Sequence, residues 1–464
     1  MQVLELRPYQ VEDVERLRAA YAKGNRAVLY CLPTGGGKTV VFAHVIASAV
    51  GRGRRTGVLV HRRELVRQAS DKLAAAGVAH GIVAAGLDRD HDAPVLVMSV
   101  QTAARRLDRL PKLDFIVADE AHHTVAESWS QLLRLWSTAK LLGVTATPAR
   151  LDGRGLGVSA GGLFNHLEMG ATVAELQAEG FLAKTRVFVP ARLIDTSGLH
   201  HRAGDFQIEE LAARAGEVTG DAVKEYRERA DHQPAIAYGC TVAHAEAIAN
   251  SFRAAGYRSA CVHGKSPKDE RDELIGGLAT GEIEVLTSCD LISEGLDVPS
   301  VGAVILLRPT ESLALAMQQI GRGMRPADGK EHLTVLDHAG NCVKHGLPNS
   351  ERQWSLDGEP KTKAGHTPSW RCEECGRLNE DMASTICEDC GAARPRPAVR
   401  RLPEPIRGEL NEVTAEQLKR VAGMRYRELM AVPRSEMELR AYARAHGYKA
   451  GWVWHRLMEQ ARWT

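Results

Sequence analysis

Residues 33–39 read Pro-Thr-Gly-Gly-Gly-Lys-Thr, directly after the apolar run Val28-Leu29-Tyr30-Cys31 and ahead of an apolar stretch suited to a buried helix. A strand, a glycine loop and a helix in that order aim backbone N–H groups and a helix N-terminus at phosphate oxygens. Glycines such as Gly35, Gly36 and Gly37 let the backbone approach that closely, and Thr34 completes the loop. Lys38 would reach the β- and γ-phosphates, and the Thr39 hydroxyl would coordinate magnesium. Leu32 stands where the generic loop begins with a further glycine. A second acidic element, Asp119-Glu120-Ala121-His122, ends the apolar run Phe115-Ile116-Val117-Ala118. A carboxylate at the mouth of a buried strand would hold magnesium, here Asp119, and its neighbour Glu120 would polarise the water attacking a γ-phosphate. A ligand-free glycine turn and a solvated strand end are the plain alternatives. The two elements in this order and spacing favour nucleoside-triphosphate hydrolysis.

What positions those residues follows from the rest of the chain. At 464 residues it exceeds a single core and suits two large domains with smaller modules, and its 44% hydrophobic content supplies those cores. The net charge of +2 says little about partners. Glu5, Arg7 and Glu12 interrupt any amino-terminal targeting pattern, and the apolar stretch near Val40–Val50 is too short to span a bilayer. Five of the nine cysteines lie scattered in apolar contexts, as reduced buried thiols do, so a soluble cytoplasmic protein without membrane partners is expected. Short β-rich runs alternate with helix-length segments twice: Val28–Cys31, Val58–Val60, Val95–Met98, Phe115–Ala118 and Leu141–Val144, then Ala235–Tyr238, Ser259–Val262, Val285–Thr287, Ala303–Leu307 and Leu333–Leu336. That alternation argues for α/β architecture with two parallel sheets in series and a cleft between them. Leu163–Leu182 reads as helical and completes the first domain, 1–182; the second covers 183–349. Residues 350–366 read as a linker, 367–393 as a cysteine module, 394–408 as a Pro/Arg-rich linker and 409–464 as a helical basic tail.

The motifs together resemble those of the superfamily-two helicases over roughly residues 6–326, which implies two tandem RecA-like domains. Leu6-Arg7-Pro8-Tyr9-Gln10 is similar to the adenine-reading segment, with Arg7 and Gln10 at the base. Residues 33–39 resemble motif I, Asp119–His122 the DEAH form of motif II, Ser99–Thr102 a strand-contacting motif, and Thr145-Ala146-Thr147 motif III. Thr287, Glu294, Gly295 and Asp297 sit in a motif V-like run, and 318–325 resembles motif VI, with Gln319 where an arginine is common. The resemblance implies that Gly295 and Asp297 contribute to the nucleotide site and that Arg322 and Arg325 reach its γ-phosphate across the cleft. Two arginines three apart would share one face of a helix start. A planar, permanently charged fork suits phosphate.

A narrower likeness to RadD-type helicases, and through them to restriction-enzyme translocating subunits, rests on His244-Ala245-Glu246, His263-Gly264, Leu336–Asn341 and His345–Pro348. It implies bacterial or phage DNA metabolism, repair or recombination, with ATP as substrate, magnesium as cofactor, and DNA of single-stranded or branched character as partner. Single-strand-binding or recombination proteins are further partners it allows. A double-strand translocase, an RNA helicase, and a scaffold with a vestigial site remain alternatives. A lone histidine beside a strand is otherwise an ordinary core or cap residue.

Cys372-x-x-Cys375 and Cys387-x-x-Cys390 form two knuckles, each followed by a glycine, Gly376 and Gly391. Four thiolates suit tetrahedral zinc, and metal binding would supply most of the folding free energy of so small a finger. With Trp370 and Asn379 the pattern is similar to Ran-binding-protein-type fingers; Trp370 and Arg371 either stack on a base or pack beneath the knuckle. The tail beyond is rich in arginine, a balance suited to phosphate backbones or to a solvated helical face, with Trp452 and Trp454 read as core.

Overall fold

The computed structural model describes residues 5–61, 63–150, 153–189, 201–202, 205–206, 211, 219–289, 298–358, 370–381, 384–394, 415–432, 434 and 436–460. Continuous apolar runs become strands buried on both faces, as parallel sheets require. The strands of the first lobe are β1 (Ala27–Cys31), β2 (Thr56–Val60), β3 (Gly81–Val83), β4 (Val95–Ser99), β5 (Phe115–Asp119), β6 (Lys140–Thr145) and the half-covered β7 (His166–Met169). They pair in the order β3-β4-β2-β5-β6-β1-β7, every ladder parallel. Covering helices are α1 (Pro8–Ala22), α2 (Lys38–Val50), α3 (Arg63–Ala75), α4 (Val100–Ala104), α5 (Glu127–Leu135) and α6 (Val173–Ala178).

The Leu163–Leu182 segment departs from its helical reading. It opens with β7, which pairs with β1, and only then enters α6, held by a Thr172–Glu175 capping box. The open edge beside β1 offers backbone partners instead, and the Gly170 N–H donates to the Cys31 carbonyl at 2.8 Å.

The second lobe repeats the design with β8 (Lys184–Phe188), a short ribbon β9 (His201–Arg202) and β10 (Asp205–Phe206), then β11 (Ala235–Tyr238), β12 (Ser259–Cys261), β13 (Val285–Ser288), β14 (Ala303–Leu306) and β15 (His332–Asp337). Its parallel sheet runs β12-β13-β11-β14-β15-β8, leaving β8 at one edge. The helices are α7 (Thr219–Arg229), α8 (Val242–Ala254), α9 (Lys268–Thr280), α10 (Leu313–Gly321) and α11 (Asn341–His345). Side-chain caps start α8 and α10: Thr241 accepts from the His244 N–H and Ser312 from the Leu315 N–H, each such cap being worth about 1 kcal/mol.

Beyond α11 the chain returns to the first lobe. The Gly157 N–H donates to the Leu356 carbonyl at 2.8 Å, and Arg154 bridges to Gly358. A Cβ at Gly155 would fall 1.9 Å from the Leu356 oxygen, so only glycine admits this strand of backbone. The segment read as a linker, 350–366, therefore packs over 350–358 as a strap against the first lobe. A hairpin of β16 (Trp370–Arg371) and β17 (Leu378–Asn379) follows.

The described residues from Ala415 to Gln460 belong to a separate compact unit. Its helices are α12 (Ala415–Ala422), α13 (Tyr426–Leu429), α14 (Glu436–Ala445) and α15 (Ala450–Gln460), around a small core of Val421, Leu429, Leu439, Tyr442 and Val453. Among the described residues no helix is long and apolar enough to cross a membrane.

Candidate active site

Strands β5, β6 and β1 are adjacent, so their carboxyl ends bring residues 119, 145 and 31 side by side, where parallel sheets place their ligands. From β1 the chain turns through Gly35 and Gly37, both left-handed with φ of 85° and 84°, and Lys38 and Thr39 open α2. Lys38 Nζ donates to the carbonyls of Leu32 at 3.1 Å and Pro33 at 3.4 Å. Burial pushes its ammonium below the usual range, Glu120 and Asp119 oppose that, and the nearby Arg322 adds to it. Leu32, fully buried, fills space beside Gly36 and Gly170, so the loop has no room for a different register at its start.

The loop is braced from α1. The Tyr9 hydroxyl and the Gln10 amide both donate to the Gly36 carbonyl, at 2.7 and 3.2 Å, and Gln10 Oε1 accepts from the Arg7 N–H at 3.0 Å. A Cβ at Gly37 would lie 2.5 Å from Gln10 Nε2. Both ends of the Gln10 amide are thus engaged with backbone here. Beside it, the Arg7 guanidinium lies 4.5 Å over the Phe181 ring, which also tilts against Tyr9. Phe181 was invisible in the sequence: it follows α6, far along the chain from the segment it meets.

On the acidic side, Asp119 Oδ1 accepts from the Glu120 N–H at 3.0 Å, and Glu120 takes a left-handed φ of 50°. Such a backbone costs a non-glycine residue on the order of 1–3 kcal/mol and gathers at functional sites. His122 Nδ1 sits 3.4 Å from Glu120 Oε2 and 3.5 Å from the Thr145 hydroxyl, which donates onward to the Thr147 carbonyl. Residues 120, 122, 145 and 147 therefore form one polar chain running from the acidic pair to the lobe junction.

The arginine segment is arranged differently from its reading. Helix α10 ends at Gly321, so Arg322 occupies its carboxyl cap and Arg325 lies beyond it in non-helical backbone, rather than both on a helix start. Close packing forces this exit. A Cβ at Gly321 would meet Thr34 of the phosphate loop at 2.6 Å, and one at Gly323 would meet Leu333 at 2.4 Å. The turn is still delivered to the first lobe, where a Cβ at Gly35 would lie 3.4 Å from Arg325 Cγ, and within its own lobe the Met324 carbonyl accepts from the Ala183 N–H at 2.7 Å. Lys330, which the sequence did not single out, donates from Nζ to the carbonyls of Gly323, of Arg325 at 2.8 Å and of Pro299 at 3.2 Å. It ties the backbone that carries the arginines, and burial pushes its ammonium down to about 8.

A cavity of about 430 Å³ opens at the junction. Thr34 and Thr147 wall it from the first lobe, Met317 and Met324 from α10 and its exit, and Arg352 and Trp354 from the strap. Gly295 and Asp297 lie outside the described residues. Thr287 is buried, its hydroxyl donating to the Ala245 carbonyl at 2.7 Å. His244 accepts from the Cys240 N–H at 3.1 Å and serves as a core histidine.

Cys372, Cys375, Cys387 and Cys390 bring their sulfurs within 4.8 Å of one another, with 3.6 Å between Cys372 and Cys390 and between Cys375 and Cys387. Sulfurs at about 2.3 Å from a tetrahedral ion stand close to that far apart, so the four residues fit one metal. The two knuckles share one geometry: Gly376 and Gly391, both left-handed, donate to the Cys372 and Cys387 carbonyls at 3.0 Å. Trp370 is buried with its Nε1 donating to the Asp381 carbonyl, and Arg371 donates to Val189, so both pack rather than present a stacking face. The module extends the exposed edge of the second lobe: Val189 N–H donates to Gly376, Phe188 bridges to Arg377, and Arg186 pairs with Asp389.

Two parallel α/β domains facing each other across motifs I, II, III and VI define a nucleoside-triphosphate-driven helicase fold. Family models agree: that of the type III restriction enzyme res subunit matches residues 3–150, and the helicase conserved C-terminal domain matches 219–327. A 51.5 kDa protein of a Lactococcus phage is 33% identical over 365 residues, covering 77% of this chain and 76% of its own. IRC3 of Saccharomyces cerevisiae, an ATP-dependent helicase by assignment, is 30% identical over 358 residues; 72% of this chain aligns with only 51% of that protein, about half its length. Among solved structures, a fragment assigned as the HsdR subunit of a type I restriction enzyme from Vibrio vulnificus has a TM-score of 0.59 at 21% identity, covering 76% of this chain and 67% of that one. The chain belongs to the superfamily-two helicases, with restriction-subunit-like character, and is an ATP-hydrolysing helicase whose partner is nucleic acid.

Proposed function

We propose that the chain is a DNA helicase or translocase of repair, recombination or phage DNA metabolism, acting in the cytoplasm and driven by closure of its two lobes on ATP. The observation that carries this reading is the seating of the Gly321–Arg325 turn on the phosphate loop, with Thr34 and Gly35 in direct apposition. ATP would lie with its phosphates along Gly35–Thr39 and its base near Arg7, Gln10 and Phe181. Thr39 and Asp119 are the residues that would hold magnesium, which neutralises phosphate charge when bound. Glu120 would accept the proton of the attacking water, its orientation set by the strained backbone and by His122. Lys38, Arg322 and Arg325 would carry the charge that develops on the γ-phosphate, and such arginines are worth about 10³–10⁵ in turnover. Gly295 and Asp297 would complete the second lobe's contribution. The thiolates of the four cysteines would hold zinc, which fixes the finger's fold.

Strand contacts from both lobes would fall mainly on phosphate and sugar and so be indifferent to sequence. DNA is favoured by the restriction-subunit likeness and by the name of a relative, the DNA 3'-5' translocase XPB2 of Sulfurisphaera tokodaii, 24% identical over 371 residues. The test is ATP turnover with single-stranded, duplex and branched DNA and with RNA, compared at one salt concentration, since backbone binding varies steeply with ions. Stimulation by DNA above RNA is expected. Stimulation by RNA alone, or by neither, would refute the DNA reading.

A further inference from the structure

We infer that the carboxyl-terminal helical unit is itself a binding site for a single strand of nucleic acid, centred on Tyr448 and the turn between α14 and α15. This rests on the motor reading above for its context, though not for its geometry. From Leu439 to Met458 the chain has no Asp or Glu, yet contains Arg440, Arg444, Lys449 and Arg456 with two histidines. Acid-free basic stretches of that length suit a polyanion.

The turn presents an aromatic ring within this basic stretch. Gly447, left-handed at φ 72°, ends α14, and the Tyr448 N–H returns to the Ala443 carbonyl at 2.9 Å, the six-to-one bond of a glycine-capped helix. That bond fixes the Tyr448 backbone, and the ring stacks on Trp452 with centroids 4.7 Å apart and planes 11° from parallel. Trp452 in turn stacks on Tyr442 at 5.8 Å, and Tyr442 on His446 at 4.1 Å. Tyr442 belongs to the core of the unit, whereas Tyr448 is 44% exposed. Tyr448 also lies 6.3 Å from Tyr442 with planes 16° apart, so the three near-parallel rings form a triangular cluster with Tyr442 as its buried anchor and Tyr448 at the surface. Arg444 and Lys449 are exposed on either side of Tyr448 in sequence, and Arg456 lies 5.7 Å over Trp452.

The outermost ring of this cluster, Tyr448, stays near-parallel to its two neighbours and exposed. A nucleobase would stack on the exposed part of the Tyr448 ring, and its flanking phosphates would meet Arg444 and Lys449. Stacking of this kind tolerates any base. Trp452, read from the sequence as core, is therefore the support of the exposed ring as well.

The experiment uses the full chain without nucleotide. Polarisation of labelled oligothymidylate and oligouridylate is measured over a range of salt for wild type, Tyr448→Ala, Tyr448→Phe and the double variant R444A/K449A. Tyr448→Ala is expected to weaken binding roughly ten-fold and Tyr448→Phe to leave it nearly unchanged. The double variant should reduce the salt slope by about 1.4, two single-strand phosphate contacts' worth. Turnover without nucleic acid should stay at wild-type level in all three. Wild-type affinity and slope in every variant would overturn the proposal while leaving the motor reading intact, and would redirect the surface to a protein partner. A wild-type chain that binds neither oligonucleotide would also overturn the proposal, whereas the motor reading is decided by ATP turnover with nucleic acid.

Discussion

Lys330 shows how a residue with no motif of its own can govern the site. Its ammonium donates to three carbonyls around the Gly323–Arg325 turn, so it fixes the backbone from which the arginines project. Lys330→Met should leave the fold intact and lower turnover roughly 10–100-fold, the scale of a small misplacement of catalytic groups; turnover at the wild-type level would exclude the clamp. Burial holds its pKa near about 8, so the charged clamp is complete below that pH and lost above it. Wild-type turnover should therefore decline on the alkaline side around that value. Lys330→Arg, charged throughout, should shift the decline upward, and an unshifted profile would assign it to another group. The phosphate loop and acidic pair were legible from sequence because their chemistry dictates residue type at each place. Lys330 and Phe181 were not, because lysine on a carbonyl and phenylalanine beside arginine are common anywhere, and only tertiary folding makes these contacts.

Elements were legible where pattern and burial coincide. Each of the ten apolar runs named from sequence falls on a strand of the two sheets, two of them running one residue past it at Val262 and Leu307, since a covered parallel strand has little polar alternation to confuse it. Edge strands β7 and β8 were missed for the complementary reason: half covered and mixed in composition, they resemble neither template. Helix α10 was misplaced relative to its arginines because its exit depends on Gly321 fitting against Thr34, a contact 287 residues apart in number. Gly321→Val should push the turn off the phosphate loop, cutting turnover while both lobes remain folded; normal turnover would show that the contact is dispensable. The cysteine module closes the β8 edge through Val189 and Phe188. Removing the metal with a chelator should therefore speed amide exchange over Lys184–Val189 as well as in the finger. Unchanged exchange at those strand residues would mean that the finger rests on the lobe without holding it.

For the molecule as a whole, the proposed function needs two half-sites built by separate sheets. Neither half hydrolyses ATP alone in this scheme: the first lobe supplies Lys38, Asp119 and Glu120, and the second supplies Arg322 and Arg325. The strap up to Gly358 packs against glycines of the first lobe, a contact hidden in the sequence because its backbone bonds leave no side-chain signature. The most direct test is single-turnover ATP hydrolysis by Arg322→Ala and Arg325→Ala, paired with the affinity of each for a fluorescent non-hydrolysable analogue. Affinity should fall little and hydrolysis by about 10³-fold or more in each variant. Hydrolysis near the wild-type rate with either arginine removed would contradict a site completed from the second lobe.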